Sequence, residues 1–487
     1  MHRIDMRRAS ARQTGCTEKH AWLAAACVVL GSACAAASDD PIDARASLLT
    51  QAGTGSEGAP AATANQAAQK RWHEPVVISA MSGDAREPSL AVNARGDALL
   101  GWAQTDRLGV NVASASYAVG AGWRAPVQMP ENAGEAREVH VSLDDEGHGL
   151  LVWDAQRNPA SVAGMSATWS AADGYSTPQE LLHFDPSVAT TYGPRFASYA
   201  DRAIALWGYA AGRGVAIQAF RYERGSGWGA PSELQWDPAP TRPVGIVEAD
   251  VALGGQGLAY TAYVAAGAPW ANRSTPEQPV GAAMRLDSAD SGSAATPRLA
   301  ADGGGRALAV WTRHDTGRQL TLASHYVSPT GWTTPVTLQS TPVATDSSTF
   351  AEVSQSRAVF SADGRACAAL IRPQPQHLDV WTACYRDGRW ERPSPIDLRT
   401  QGTSRSLQVA ADGRGNWVAV WSRASGSEEH IYANRYVSGR GWTGPTRLDA
   451  DGGNSLSPTL SLDASGNGFA AWTQLRGYAQ LLVSRLE

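Results

Sequence analysis

The chain has 487 residues, a formal charge of −5 and only 18% charged residues, with 49 glycines and 18 tryptophans. That profile suits many short strands joined by tight turns and excludes a protein built on amphipathic helices. Residues 1–34 sum to +3, which leaves −8 for the remainder, so nothing electrostatic favours nucleic acid or an anionic lipid surface as a partner. Lys19 and Lys70 are the only lysines. Arginine is therefore the default cation of the body, and its positions carry less weight than usual.

The basic opening is followed by a short apolar stretch, Ala21 to Leu30, and then by small residues, the layout of an export signal. The stretch is too short to span a bilayer comfortably. Gly31-Ser32-Ala33-Cys34 resembles a bacterial lipobox in which Cys34 becomes the lipid-anchored first residue, although Leu30 sits one place too early. Cleavage after Ala35-Ala36-Ala37, giving a free secreted protein, is the alternative. Arg7-Arg8 lacks the apolar residues that a twin-arginine signal would have after it. Residues 35–70 are rich in Ala, Gly, Ser and Thr and hold too few large apolar side chains to offset ordering entropy, so a disordered tether is expected. These segments predict an exported protein of the bacterial cell envelope, touching the membrane only through the Cys34 lipid and facing the periplasm or the surface.

From residue 71 onward two phrases alternate. In one, an Asp or Asn is followed by Gly and an apolar run ending in Trp: Asn93 to Trp102, Asp144 to Trp153, Asp302 to Trp311, Asp412 to Trp421 and Asp463 to Trp472. The other is Gly-Trp-x-x-Pro, at Gly122-Trp123, Gly227-Trp228, Gly331-Trp332 and Gly441-Trp442. Length alone suggests two or three domains, but a period near 50 residues identifies one repeat array. Each unit reads as four short strands; in the first they are Pro88 to Ala94, Asp97 to Gln104, Val110 to Val119 and Gly122 to Met129. Eight units are counted, with first strands near Pro88, Val139, Pro194, Val247, Pro297, Ser356, Ser406 and Pro458. The fourth is worn, with Tyr263 in place of Trp. The expected fold is an all-β, single β-propeller of eight four-stranded blades spanning 71–487. The last unit lacks its Gly-Trp strand, and Trp72-His73-Glu74-Pro75-Val76 supplies one, closing the ring and removing an exposed edge.

In the body, Cys367 and Cys384 flank a turn at 372–377; if antiparallel residues sum to 751, the two cysteines face each other, and a disulfide is expected after export. The tryptophans recur at fixed positions, which reads as core and not as a ligand platform. No Gly-x-Ser-x-Gly, His-Glu-x-x-His, Cys-x-x-Cys or phosphate loop is present. Asp449 to Asn454 looks in outline like a calcium loop, but it falls where other units place a plain Gly turn, so neither metal nor cofactor is expected. The loop after the second strand holds an arginine in seven of eight units: Arg107, Arg157, Arg213, Arg313, Arg372, Arg423 and Arg476. Arginines gathered on one rim would clamp carboxylates such as those of acidic sugars; Asp106, Asp154, Asp315 and Glu428 in the same loops are their alternative partners.

The phrases Gly415-Asn416-Trp417 to Trp421, Tyr432-Ala433-Asn434-Arg435-Tyr436 and Gly439 to Pro445 resemble the repeats of poorly characterised exported bacterial proteins of lipoprotein type. That resemblance covers 71–487 and implies the fold and the address, not an activity. Sialidases are similar at fold level only. Their Asp-box sets Trp five residues after the Asp, whereas Asp463 precedes Trp472 by nine, and Gly193-Pro194-Arg195-Phe196 does not match their Phe/Tyr-Arg-Ile-Pro motif. The sequence thus points to a monomeric, non-catalytic module that binds a glycan or an envelope protein. The alternative is a glycan-active hydrolase or lyase, which would gather unmatched His, Tyr, Asp or Glu at the ring axis.

Overall fold

The computed structural model describes residues 70–487 apart from 80–81, 108, 131–133, 159–160, 185–188, 212–213, 238–247, 289–291, 343–354, 362–363, 375–376, 387, 398–401 and 451. The expected export segment, the tether up to residue 69, Cys34 and Arg213 lie outside the described residues. Eight antiparallel sheets follow one another as the blades of a propeller. The first strands are innermost and pack one against the next around the ring, with Asn454–Leu462 returning to Ala85–Val92. In most blades the fourth strand is broken in two, as at Gly122–Trp123 and Val127–Gln128, because the intervening Pro126 cannot donate to the ladder. The last blade, Asn454–Leu462, Gly468–Arg476 and Tyr478–Leu486, takes its outer strand from Val76–Val77, with Val76 opposite Val483 and Trp72 bridged to Leu486.

The repeated Asp or Asn now has a physical role. Asp412 Oδ1 accepts the N–H groups of Arg414 and Asn416 at 2.7 and 2.9 Å, and Asp463 does the same for Ser465 and Asn467. Gly415 and Gly466 take φ of 77° and 76° in these turns, a left-handed conformation that Gly adopts without a Cβ clash. Beyond each turn the second strand delivers its Trp into the space between blades. Trp102, Trp153, Trp207, Trp311, Trp421 and Trp472 are buried, and Tyr263 fills the same role in blade 4. Trp472, for example, packs on Val418, Val420 and Ile431 of the preceding blade. Burying an indole removes roughly 150–250 Å² from water, about 4–6 kcal/mol before entropy. Cys367 and Cys384 are opposed in register and joined by a disulfide, as the 751 sum requires.

One feature differs from the sequence expectation. Several first strands begin three to five residues earlier than the Pro or Val that seemed to open them, as in Ala85–Val92 and Ser293–Ala301. The pairing shifts between Arg86 and Ser89 and between Ala295 and Arg298, so a bulge interrupts the alternation. Glu87, Glu138, Thr296, Ser406 and Ser457 sit at this bulge with φ between 47° and 55°. Non-glycine residues in the left-handed region are held there by their surroundings.

Candidate functional site

The bulges lie on the innermost strands, at the mouth of the central channel. One step beyond the Pro or its equivalent, each blade places one residue opposite the residue that precedes its Trp: Ser89 opposite Gly101, Arg195 opposite Leu206, Arg298 opposite Val310. This defines a ring of eight equivalent positions. Blades 2 to 6 supply His140, Arg195, Asp250, Arg298 and Arg357; blades 7, 8 and 1 supply Gln408, Thr459 and Ser89. The charges are therefore gathered on one side of the axis.

Burial, then the charges of Arg298 and Arg195, draw the Arg357 pKa down to about 10, while Asp250 opposes them. Each guanidinium is pinned by one edge: Arg298 Nη1 donates to Pro297 O at 2.8 Å and Arg357 Nη1 to Ser356 O at 2.9 Å. Arg357 Nε also donates to Gln408 Oε1 at 3.3 Å. Most of the five donors on each fork remain for a ligand. Arg195 is drawn the other way, with Nε on Ala249 O at 3.3 Å and Nη1 3.5 Å from Glu138 Oε2.

The acidic groups lie on blades 1, 2 and 4, and those of blades 1 and 4 are engaged by backbone. Glu87 Oε2 accepts Glu138 N–H at 2.9 Å, Asp250 Oδ2 accepts Leu299 N–H at 2.8 Å, and Glu248 accepts Thr296 N–H. These bonds satisfy inner-edge donors of the first strands of blades 2 and 5, which have no further strand to pair with there. Gly193 makes room for the same lattice, since a Cβ there would stand 2.2 Å from Glu138 Oε2. Burial raises the Glu138 pKa, against the pull of Arg195. His140 is pushed down to about 4 by burial and then by Arg195, so it is neutral near pH 7.

The arginines singled out from the loops are dispersed around the rim. Arg423 is buried, with Nη1 3.2 Å from Asp397 Oδ2 and 3.1 Å from Ser404 Oγ. Arg313 lies 3.9 Å from Asp287 and 3.7 Å from Asp315, and Arg372 stacks 4.2 Å above Trp381. These three stand two places beyond the Trp, or beyond Leu370, which occupies the Trp position in blade 6, and they turn toward the interface between blades. Arg157 pairs with Glu180 at 2.6 Å, while Arg107 and Arg476 are exposed. Asp397 and Asp449 are equivalent blade clasps. Asp449 accepts from Ser455 Oγ at 2.7 Å and Ile431 N at 3.2 Å and meets His430 Nδ1 at 3.0 Å. Ser455 is thus bonded to the carboxylate and not to the imidazole, which leaves its hydroxyl without the general base a nucleophile needs.

The axial ring went unnoticed in the sequence because no one residue type is common to its eight members. Its signal is the reverse of a motif: it is the position beside each conserved phrase where the repeat stops repeating.

No family model and no curated protein matches this chain. Among solved structures it is similar to an ulvan lyase of a polysaccharide lyase family (11% identity, 85% of this chain and 95% of that one, TM-score 0.47). It is also similar to the Dos1 propeller (10%, 86% and 95%, TM-score 0.47) and to a Hadza microbial sialidase (10%, 78% and 74%, TM-score 0.40). These likenesses are of fold. The chain is an eight-bladed β-propeller with a polar, asymmetrically charged axis.

Proposed function

We propose that the ring is a non-catalytic binding module for an acidic glycan, taking a carboxylate or sulfate of one sugar residue between Arg298 and Arg357. The carrying observation is that Arg195, Arg298 and Arg357 stand at the same register position of the innermost strands of blades 3, 5 and 6. Two guanidiniums side by side on neighbouring blades repel unless an anion lies between them, and fork-shaped donors suit carboxylate and sulfate. The rest of the ring, with Gln408, Thr459 and Ser89, offers partners for sugar hydroxyls. The acidic side chains and His140 serve the strand edges or are held neutral, which favours binding over glycan hydrolysis or elimination. The export signal and Cys34 lipid expected from the sequence would hold the module at the envelope, at the end of a tether.

Titration of the full chain with oligogalacturonate and with its methyl ester tests the reading. The acid should bind more tightly, and the R298A/R357A variant should lose about tenfold or more in affinity for it, as expected for charged hydrogen bonds of about 1.5–3 kcal/mol. Equal affinity for acid and ester would overturn it. Mass spectrometry of the same mixtures should find the saccharides intact; a new product mass would make the protein an enzyme.

A further inference from the structure

On the opposite face, where the Asp turns lie, a cleft of about 310 Å³ opens between blades 1 and 2, at the lower end of the size of small-ligand sites. It coincides with a break in the repeat. In blades 1, 3, 5, 6 and 7 the third strand carries near its end a Tyr that pairs with the Trp of the following strand: Tyr117 with Trp123, Tyr222 with Trp228, Tyr326 with Trp332, Tyr385 with Trp390 and Tyr436 with Trp442. Blade 2 exchanges the two, with Trp169 opposite Tyr175. The residue facing that Tyr on the second strand is Ala98, Ala203, Ala307 or Ala366, and Trp417 in blade 7, but opposite Trp169 it is Gly149. A Cβ on Gly149 would lie 2.6 Å from Leu99 Cδ2 and 3.2 Å from Trp169 Cε3, so the glycine makes room for both side chains.

The exchange keeps the bond between blades. Trp228 Nε1 donates to Ser166 Oγ of the preceding blade at 3.0 Å, and Tyr175 donates its hydroxyl to Ser114 Oγ at 2.5 Å in the same place. What changes is the wall of the cleft, which now carries a half-buried indole. Around it stand Arg95, Arg124, Asp97, Glu146 and Asp173. Arg224 of blade 3 grips both oxygens of Glu146, at 2.6 and 2.8 Å, and Ser170 Oγ holds Asp173 at 2.9 Å. With Arg224 counted, guanidiniums and carboxylates are balanced, so the rim has no net preference for an anion or a cation and offers donors and acceptors to hydroxyls.

We infer that this cleft is a second saccharide site, independent of the axis, in which an uncharged pyranose ring stacks its C–H face on Trp169 and hydrogen-bonds the charged rim. An indole face with polar groups at its margin meets both surfaces of such a ring.

Saturation-transfer NMR on the full chain with the methyl glycosides of glucose, galactose, mannose and fucose tests it. At least one glycoside should receive saturation, strongest on the C–H protons of one ring face. W169Y/Y175W restores the pattern of five other blades and should keep the melting temperature while weakening that glycoside at least tenfold. R124A, which leaves the rings untouched, should weaken it severalfold, and R298A/R357A should leave it unchanged. No transfer to any of the four glycosides, undiminished binding by both cleft variants, or loss confined to the axial variant would overturn the inference. Failure of oligogalacturonate to prefer the axial arginines would leave this site standing, so the two readings fail separately.

Discussion

Each blade sets two kinds of position side by side. The tryptophans of the second strands recur around the ring, whereas the residues just across the strand from them, Ser89, His140, Arg195, Asp250, Arg298, Arg357, Gln408 and Thr459, scarcely repeat. The difference is one of neighbours. An indole between two sheets has a single good solution, which every blade must meet, while a side chain at the axis meets different groups in each blade and is left to differ. Repetition in this fold marks stability, and variation at an equivalent place marks where that common demand ends.

The contrast breaks if the repeated layer proves dispensable. Truncating Trp311 to Ala should cost about 3–5 kcal/mol of unfolding free energy by denaturant titration, through lost burial and the cavity left behind. A loss below about 1 kcal/mol would contradict the assignment of the indoles to the core.

Asp154 sharpens the contrast, because there a charge intrudes into the repeated layer. Its Oδ1 accepts Trp207 Nε1 at 2.8 Å, and burial raises its pKa to about 7, against the bond from Trp207. A carboxyl raised in the folded state stabilises it fully below the ordinary value of 3.8, and that contribution is lost as pH climbs through about 7. D154N keeps an acceptor for the indole without the charge. It should match the wild type in melting temperature at pH 4 and exceed it at pH 8, by at most about 4 kcal/mol in stability. Equal melting at both values would show that the carboxyl titrates normally.

The disulfide gives a somewhat smaller effect. Cys367 and Cys384 close a loop with a sequence separation of 17, for which chain-entropy arguments give about 3 kcal/mol. C367A/C384A should unfold earlier in denaturant by that amount, and ligand affinity at the axis should not change.

Much of this architecture was legible in the chain. The turn phrase with its Asp and Gly, the facing cysteines and the displaced strand at Trp72 are each dictated by local geometry, so each leaves a trace in spacing. The bulge did not, because Glu87 and Thr296 are ordinary residues forced into the left-handed region by the neighbouring blade, and no local preference announces that. The loop arginines show the converse. Arg313, Arg372 and Arg423 stood out because they recur, and the structure gives them to Asp287, Trp381 and Asp397. Arg195, Arg298 and Arg357 were hidden by their unlike neighbours around the ring, although Arg195 and Arg298 each follow the Pro that ends a bulge and Arg357 stands at the same register.

The closing strand sets an order of events. Val76 is among the first residues of the ring to be made, yet its partner Val483 lies about 400 residues further along the chain. Blades 1 to 7 can each form from neighbouring sequence as it emerges, but the eighth has nothing to receive its outer strand until the last strand exists. The earliest strand of the propeller is therefore the last to find its place. Until synthesis is complete, the chain carries an unpaired segment at its start and an open ring, which is when a folding helper or a protease would meet it.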